Sequence, residues 1–162
     1  MMYTLKRCLG SAFLALLVSA CQHHGAATPA TPYKGYKMAP YTLKGLRFVP
    51  MTVEQALRYD MVGIASHYEA HGAIGAIGQP LHRGQLYAAH RTLPLPCMAR
   101  VTNLENGLSC TVRIADRGPY IAGRLIDVSS EVAHQLKFHH NGLARVRIQV
   151  LSVGDGAYKR SR

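Results

Sequence analysis

Apolar and polar side chains alternate in short runs between residues 62 and 153, which is typical of β-strands buried on one face. The last run is the clearest, because Val146, Ile148 and Val150 are separated by arginine and glutamine. The alternation predicts strands at residues 62–68, 98–104, 108–115, 124–128 and 143–153. Short strands with turn residues between them favour a compact β-barrel.

Turn and cap residues indicate how these strands are connected. Asn106-Gly107 predicts a hairpin with a type I′ turn, because that turn needs a positive φ at both central residues. Residues 71–84 contain four glycines and predict a long loop after the first strand. Two short helices are expected, one over residues 52–59 with Thr52 as N-cap and one over residues 131–136 capped by Ser129 or Ser130.

The amino terminus has the parts of a bacterial export signal. Lys6 and Arg7 are followed by an apolar run, residues 8–18, that is too short to span a bilayer. Val18-Ser19-Ala20-Cys21 then looks like a lipobox, where the cysteine is lipidated and the chain is cleaved before it. An ordinary signal peptide that ends near a cysteine is the alternative. Gln22, where an aspartate would favour the inner membrane, indicates the periplasmic face of the outer membrane.

The sequence therefore divides into five segments. We expect a signal peptide at residues 1–20, a flexible linker at 21–50, a short helical lead-in at 51–61, a barrel domain at 62–153 and a basic tail at 154–162. The linker begins small, polar and rich in proline, so it cannot bury a core. Its second part, from residue 33, contains Tyr33, Tyr36 and Tyr41 and is expected to lie along the domain surface.

Composition and charge narrow the classes of partner. The 162 residues are 48% hydrophobic, which is enough for one folded domain. The formal net charge is +11, and +9 remains when Lys6 and Arg7 are removed with residues 1–20. Such a charge favours an anionic partner, such as a phospholipid surface or an acidic wall polymer. Nucleic acid is not expected, because the chain is exported and shows no aromatic-basic reading surface.

Seven motifs run through the predicted barrel: Gly63-Ile64-Ala65-Ser66-His67-Tyr68, His71-Gly72 with Gly78, Ala88-Ala89-His90, Leu93-Pro94, Val101-Thr102-Asn103-Leu104-Glu105-Asn106-Gly107, Asp116-Arg117-Gly118-Pro119-Tyr120 and Ile126-Asp127-Val128-Ser129. In this order, and with the lipobox, they resemble the rare lipoprotein A family over residues 62–151. The resemblance implies a mainly β fold, a six-stranded double-psi β-barrel with one or two short helices. It also implies lytic transglycosylase activity on peptidoglycan.

The resemblance implies a catalytic site as well. The family's acid is a glutamate directly after a loop glycine, supported by an aspartate in the Asp-Arg-Gly-Pro turn and a histidine in the Ala-Ala-His segment. By position these are Gln79, Asp116 and His90. Lytic cleavage needs one carboxyl group, which protonates the leaving oxygen and then takes a proton from the sugar's own 6-hydroxyl. The residues expected to bind the glycan are Tyr68, His71, Arg117 and Tyr120.

Gln79 departs from the family pattern. Its amide does not titrate near neutral pH, so it cannot act as a general acid. Two functions are therefore open. The domain is either a lytic transglycosylase in which Asp116 performs the acid–base chemistry, or a non-catalytic scaffold lipoprotein that binds peptidoglycan. Peptidoglycan glycan strands are the expected partner in both, and the lipid on Cys21 is the expected contact with the membrane.

Cys97 and Cys110 form an even pair in an oxidising compartment, so a disulfide is possible. A regular hairpin centred on Asn106-Gly107 would place Asn103 opposite Cys110 and Cys97 about 20 Å further along. A disulfide needs Cα atoms about 4.4–6.8 Å apart, which only a bulge or a crossing strand would provide. The bonded and the free state both stay open. No cofactor is expected, and no residue spacing requires a metal.

Overall fold

The computed structural model describes residues 32–162. The predicted signal peptide, Cys21 and the first part of the linker lie outside the described residues. The elements in chain order are β1 (Tyr41–Leu43), β2 (Leu46–Phe48), α1 (Val53–Leu57), β3 (Asp60–Tyr68), β4 (Tyr87–Ala89), β5 (Cys97–Asn103), β6 (Ser109–Asp116), β7 (Arg124–Ser129), α2 (Ser130–Gln135), β8 (Leu143–Val153) and β9 (Arg160–Ser161).

Six of these strands close into a barrel. Their order is β3-β7-β4-β6-β5-β8, and β8 pairs with β3 to complete the ring. The pairs β3–β7 and β4–β6 are parallel, and the other four pairs are antiparallel. This is the mainly β, six-stranded double-psi β-barrel that the family resemblance implied, with two short α-helices on its surface.

The alternation along β8 separates core from solvent as the sequence predicts. Val146, Ile148 and Val150 are fully buried, whereas Arg145 and Arg147 are exposed. Burying each branched apolar side chain stabilises the fold by about 1.5–3 kcal/mol. Helix α2 and the turn after it cover one part of the barrel and bury further apolar side chains, which are Val132, Ala133, Leu136 and Phe138.

Helix α1 begins at the predicted Thr52 cap. The Thr52 hydroxyl accepts from the Gln55 backbone N–H at 3.2 Å, and the Gln55 side chain accepts from the Thr52 N–H at 2.9 Å, which forms a capping box. Helix α2 follows Ser129, whose hydroxyl donates to the Gln85 carbonyl at 3.0 Å instead of capping the helix. Within residues 32–162, no helix is long and apolar enough to cross a membrane.

The β5–β6 hairpin differs from the predicted type I′ turn. Thr102 pairs with Ser109, so the connection is longer than two residues, and of the Asn106-Gly107 pair only Gly107 has a positive φ, 74°. The reason is the Asn106 side chain, which donates to the Leu136 carbonyl and accepts from the Leu108 N–H, both at 3.0 Å. A two-residue turn with positive φ at both positions instead joins β1 and β2, at Lys44-Gly45, where φ is 50° and 77°.

The possible disulfide between Cys97 and Cys110 is not formed, because both thiols are free. Cys97 lies opposite Ile114, whereas Cys110 lies opposite Val101, which is four residues further along β5. That offset corresponds to about 13 Å along the strand, well beyond the reach of a disulfide. The register of the β5–β6 pair therefore keeps the two sulfurs apart.

The linker and the tail both contain strands that the sequence pattern did not predict. The β1–β2 hairpin lies inside the segment that was expected to be a linker, and Lys37 forms a β-bridge with Leu95. At the other end, β9 pairs with the last residues of β8. The proline-rich residues before β1 suggested a linker, and β9 has only two residues, too few for alternation to show in the sequence.

Candidate functional site

The candidate site is built around Asp116, the last residue of β6. A register shift in the β4–β6 pair places Ala88 opposite Ile114 and Ala89 opposite Asp116. Beyond it, Gly118 has a φ of 143°, which suits a residue without a side chain. The half-buried Asp116 carboxylate stands where the strand turns.

One oxygen of the Asp116 carboxylate is fixed by the backbone. Asp116 Oδ1 accepts from the Ala76 N–H at 2.9 Å and from the Arg117 N–H at 2.8 Å. The first bond ties the glycine-rich loop to the end of β6, and the second stabilises the turn itself. Oδ2 is left as the oxygen that faces a side chain.

That side chain is Tyr68, the last residue of β3. Its hydroxyl lies 3.5 Å from Asp116 Oδ2, and its ring packs edge-on against Tyr87 with the ring centroids 5.7 Å apart. Burial, followed by the negative charge of Asp116, raises the pKa of Tyr68 well above its usual value. Tyr68 therefore keeps its proton at neutral pH and can donate it in a hydrogen bond to the carboxylate.

The glycine-rich loop forms a small hairpin of its own over residues 72–81. The Gly75 N–H donates to the Gln79 carbonyl and the Gly78 N–H donates to the Gly75 carbonyl, both at 2.9 Å. Ile74 and Pro80 form a β-bridge at its base. A side chain at Gly75 would lie 3.1 Å from the Ala115 carbonyl oxygen, so glycine allows the loop to approach β6 closely.

Gln79, which the family resemblance aligned with the catalytic acid, lies on the same loop. Its Oε1 accepts from the Arg113 guanidinium at 2.9 Å. The same Arg113 nitrogen forms an ion pair with Asp155 at 2.7 Å. The loop thus connects Gln79 to the Asp116 carboxylate through Ala76, while the Gln79 amide is oriented by a cation.

His90 is almost completely buried, with 3% of its surface exposed, and both ring nitrogens have partners. Nδ1 accepts from the Thr92 and Leu93 N–H groups at 3.2 and 3.1 Å, so Nε2 carries the proton and donates to the Tyr59 hydroxyl at 3.0 Å. Burial lowers the pKa of His90 to about 3, and the charges of Arg91 and Arg117 act in the same direction. His90 is joined to Asp116 through its backbone N–H, which donates to the Asp116 carbonyl at 3.1 Å.

Arg117 is occupied by main-chain carbonyls. Its guanidinium donates to the carbonyls of His90 at 3.2 Å and Lys37 at 3.0 Å, and also to the Leu93 carbonyl. It also lies over the Tyr41 ring, 5.5 Å from the centroid. Arg117 therefore joins the turn after β6 to the segment that precedes β1.

The remaining two predicted glycan contacts lie on exposed parts of the surface. His71 is exposed, and its Nδ1 accepts from the Arg83 N–H at 3.1 Å. Tyr120 is 43% exposed, and its hydroxyl lies 3.5 Å from the Tyr41 hydroxyl. Among residues 32–162, no group of three or more histidine, cysteine or acidic side chains is arranged to hold a metal ion.

Sequence reasoning missed the aromatic residues of the β1–β2 hairpin beside this site. Tyr41 and Phe48 stack with ring centroids 5.1 Å apart, and Phe48 meets Tyr120 at 5.6 Å. The sequence did contain a hairpin signal, because Lys44-Gly45 lies between residues 41–43 and 46–48, and in both of these runs apolar and polar residues alternate.

Fold and site together define a double-psi β-barrel protein with one carboxylate at the candidate reacting position. Residues 60–148 match the family described as lytic transglycolase. The chain belongs to this family.

Several relatives are called endolytic peptidoglycan transglycosylase RlpA. The protein of Pseudomonas aeruginosa is 44% identical over 121 residues, which are 73% of this chain and 35% of that protein. The Campylobacter jejuni protein is 35% identical over 153 residues, 91% of this chain and 55% of that one. The Rickettsia bellii protein is 39% identical over 126 residues, 74% of this chain and 54% of that one. This chain thus spans from about a third to just over half of these relatives.

Two solved structures are also similar. Streptomyces papain inhibitor is 21% identical with a TM-score of 0.49, covering 57% of this chain and 94% of the inhibitor. A mutant of Clavibacter michiganensis expansin, in complex with cellohexaose, is 15% identical with a TM-score of 0.46, covering 57% of this chain and 50% of the expansin.

Proposed function

We propose that this protein cleaves the glycan strands of peptidoglycan as a lytic transglycosylase, with Asp116 as the group that transfers the proton. The observation that carries the proposal is the arrangement of its carboxylate. Oδ1 is held by two backbone N–H groups, while Oδ2 faces the Tyr68 hydroxyl at 3.5 Å. Oδ1 is thus fixed by the backbone, and Oδ2 is available for proton transfer. Membership of the lytic transglycolase family supports the same reaction.

The proposed reaction needs only one carboxyl group. In the reactive form Asp116 carries a proton on Oδ2 and gives it to the glycosidic oxygen as the bond from that oxygen to the anomeric carbon breaks. The resulting carboxylate takes the proton of the sugar's own 6-hydroxyl while O6 forms a bond to the same carbon. The products are a shortened glycan and a 1,6-anhydro end, and Asp116 is again protonated. No water is consumed, whereas hydrolysis would require a second carboxylate at a set distance.

A second function, peptidoglycan binding without cleavage, is favoured by Gln79. The amide at the family's acid position cannot transfer a proton, and it is held by the Arg113 guanidinium. In this alternative Asp116 fixes the loop and accepts hydrogen bonds from sugar hydroxyls. Both functions require the glycan to reach the same carboxylate.

The proposed location is the periplasmic face of the outer membrane, with the chain anchored by a lipid on Cys21. The proposal is supported by the lipobox-like Val18-Ser19-Ala20-Cys21 and by the glutamine that follows it. Labelled palmitate should be incorporated into the wild-type chain and should be absent from Cys21→Ser. Equal labelling of the two chains would overturn the lipid anchor.

Digestion of purified sacculi distinguishes the two functions. The wild-type protein should release muropeptides with anhydro ends, and Asp116→Asn should reduce their yield by about 10²–10⁴-fold, the usual contribution of a general acid–base group. If Asp116→Asn still binds sacculi, the reduced yield reflects slower cleavage and not weaker binding. Pelleting of the wild-type protein with sacculi without anhydro products would instead support the non-catalytic function.

Gln79→Glu is the complementary test, with Gln79→Met as a control of similar length. A carboxyl group at this position should increase the release of anhydro products, because it supplies the acid that the family places there. Gln79→Met should not increase it. A Gln79→Glu variant that binds sacculi normally and gains no activity would contradict the idea that Gln79 limits the reaction.

A further inference from the structure

We propose that the apolar face of the β1–β2 hairpin, continued by Tyr120, is a glycan-binding platform that extends the Asp116 site. This inference rests on the proposed peptidoglycan function and adds the surface that would hold sugars at a distance from the cleaved bond. We use the name aromatic platform for the side chains of Tyr41, Leu43, Leu46, Phe48 and Tyr120.

The hairpin register places its apolar side chains on one face. Tyr41 lies opposite Phe48, and Leu43 lies opposite Leu46. Because side chains alternate along a strand, these two pairs share a face, and the Thr42–Arg47 pair occupies the other. The hairpin is therefore amphipathic although it forms a separate two-stranded sheet.

The barrel covers only one end of this apolar face. Tyr41 and Phe48 are half-buried, and the Tyr41 hydroxyl donates to the Arg91 carbonyl at 3.0 Å. At the hairpin tip, Leu46 is 65% exposed, and beside the Phe48 ring Tyr120 is 43% exposed. Neighbouring exposed apolar side chains of this kind mark a binding surface more often than scattered single ones do.

The aromatic platform is held rigid by the same residues that form the Asp116 turn. Tyr120 follows Asp116 by four residues, and its ring meets Phe48 edge-on at 5.6 Å. The Arg117 guanidinium lies over Tyr41, which in turn stacks on Phe48. Burial, followed by the neighbouring Tyr41 hydroxyl, raises the pKa of Tyr120, and Asp116 adds to this rise while Arg117 acts in the opposite direction.

The chemistry of the surface fits a peptidoglycan strand. A pyranose ring has an apolar face of C–H groups, so it packs on an exposed aromatic ring such as that of Tyr120. Peptidoglycan also carries carboxylates on its peptides. The hairpin itself carries Lys44 and Arg47 and no acidic residue, so its charge is complementary to those carboxylates.

An anionic membrane is the competing occupant, since a basic and apolar hairpin tip also fits a lipid surface. The glycan is favoured because the aromatic platform adjoins the turn that carries Asp116. A bilayer lying on this face would cover the approach to the carboxylate. A glycan strand that lies on the platform would instead continue into the site.

The test measures binding of the full-length chain to purified sacculi and to vesicles of phosphatidylethanolamine and phosphatidylglycerol. Tyr120→Ala and Leu46→Ser should each weaken sacculus binding by about tenfold, the effect of losing one ring or apolar contact. Leu143→Ser, which removes an exposed leucine from β8, is the matched control and should bind like the wild type. Vesicle binding should be the same for all four chains.

Different experimental results would contradict the aromatic platform and the proposed function. Unchanged sacculus binding by both platform variants, with cleavage that still depends on Asp116, would overturn the platform and leave the function standing. Loss of vesicle binding with unchanged sacculus binding would assign the surface to the membrane. If the wild-type protein neither binds nor cleaves sacculi, the proposed function is overturned and the platform with it.

A second measurement uses glycan length. Sugars on the platform lie away from the cleaved bond, so Tyr120→Ala should weaken the binding of long soluble glycan strands and leave the binding of a disaccharide-peptide unchanged. An equal loss for both ligands would show that Tyr120 acts at the carboxylate itself, which contradicts an extended surface.

Discussion

At the scale of single residues, His90 and Arg117 contribute to the site by supporting its backbone. The family resemblance placed His90 among the catalytic residues and Arg117 among the glycan contacts. In the structure His90 Nε2 donates to the Tyr59 hydroxyl, and Nδ1 accepts from two backbone N–H groups. The Arg117 guanidinium donates to three main-chain carbonyls. We infer that both are positioning residues for the Asp116 turn.

The buried His90 ring should make the stability of the domain depend on pH. Its pKa is lowered to about 3 in the folded state and is about 6.5 in the unfolded state, so the unfolded chain binds more protons below pH 6.5. The stabilisation from neutral His90 is complete above pH 6.5 and is lost as the pH falls towards 3. Between pH 8 and pH 5 the free energy of unfolding should decrease by about 2 kcal/mol from this residue.

His90→Asn isolates this contribution in urea titrations at the two pH values. Asparagine keeps an acceptor for the Thr92 and Leu93 N–H groups but cannot titrate. The variant should be less stable at pH 8, because the Tyr59 contact is lost, and should lose less stability on acidification. A variant with the full wild-type pH dependence would mean that His90 is not buried in its neutral form.

At the scale of elements, short helices depend strongly on their caps. Helix α1 has only five residues, and its Thr52–Gln55 capping box satisfies two backbone N–H groups that would otherwise lack partners. The cap was recognisable in the sequence because it is local. The β1–β2 hairpin, which is equally local, was missed because the proline-rich residues before it suggested a linker.

Thr52→Ala should lower the free energy of unfolding by about 1 kcal/mol, the usual effect of removing a threonine N-cap. Thr42→Ala, on the exposed polar side of the β1–β2 hairpin, is the matched control and should change stability by less than about 0.5 kcal/mol. Denaturant unfolding of both variants provides the measurement. Equal losses for the two would indicate that the capping box does not stabilise α1.

Four histidines between β3, α2 and the following turn form a stacked group whose contacts were not expected. His139 lies between His134 and His67, with ring centroids 3.8 and 4.5 Å away, and His140 meets it at 5.6 Å. The Nδ1 atoms of His67 and His139 are buried and without a hydrogen-bond partner within residues 32–162.

His139 should titrate below the usual histidine range. Burial, followed by the neighbouring histidine charges, lowers the pKa of His139, while Glu69 acts in the opposite direction. Neutral His139 therefore stabilises the fold above pH 6.5, and this contribution is lost as the pH falls below that value. In an NMR titration of the ring protons, His139 should have a midpoint below that of a histidine in a model peptide, and His134→Ala should raise it. An unchanged His139 midpoint in His134→Ala would contradict an electrostatic coupling between these two histidines.

At the scale of the whole molecule, barrel closure determines which residues meet. Tyr68 ends β3 and Asp116 ends β6, and the two strands are not adjacent in the barrel order. The parallel pairs β3–β7 and β4–β6, joined by β4–β7, bring both strand ends to the same region. No local pattern in the sequence contains this information, so only the resemblance to a family could suggest it.

The closed barrel also protects its two cysteines. Burial raises the pKa of Cys97 and of Cys110 to about 12, so less than about 10⁻³ of either thiol is ionised at pH 8. Iodoacetamide should leave both unlabelled in the native chain and label both after unfolding, as read by mass spectrometry of the peptides. A peptide pair joined through Cys97 and Cys110 under non-reducing conditions would contradict the register of β5 and β6.

Neighbouring residues alone were enough to predict the alternation of β8, the Thr52 cap, the two helices and the positions along the chain of the barrel strands other than β4. Strand β4 was missed because its three residues are buried on both faces and show no alternation. The Asn106-Gly107 turn was predicted wrongly because a carbonyl thirty residues away competes for the Asn106 side chain.

Tertiary structure alone decided the closure of the barrel, the register that separates Cys97 from Cys110, the meeting of Tyr68 with Asp116 and the packing of β1–β2 beside the site. The physical reason is the same in each case. These contacts join residues far apart in sequence, and their energies depend on burial and on hydrogen-bond partners that exist only after the barrel has closed.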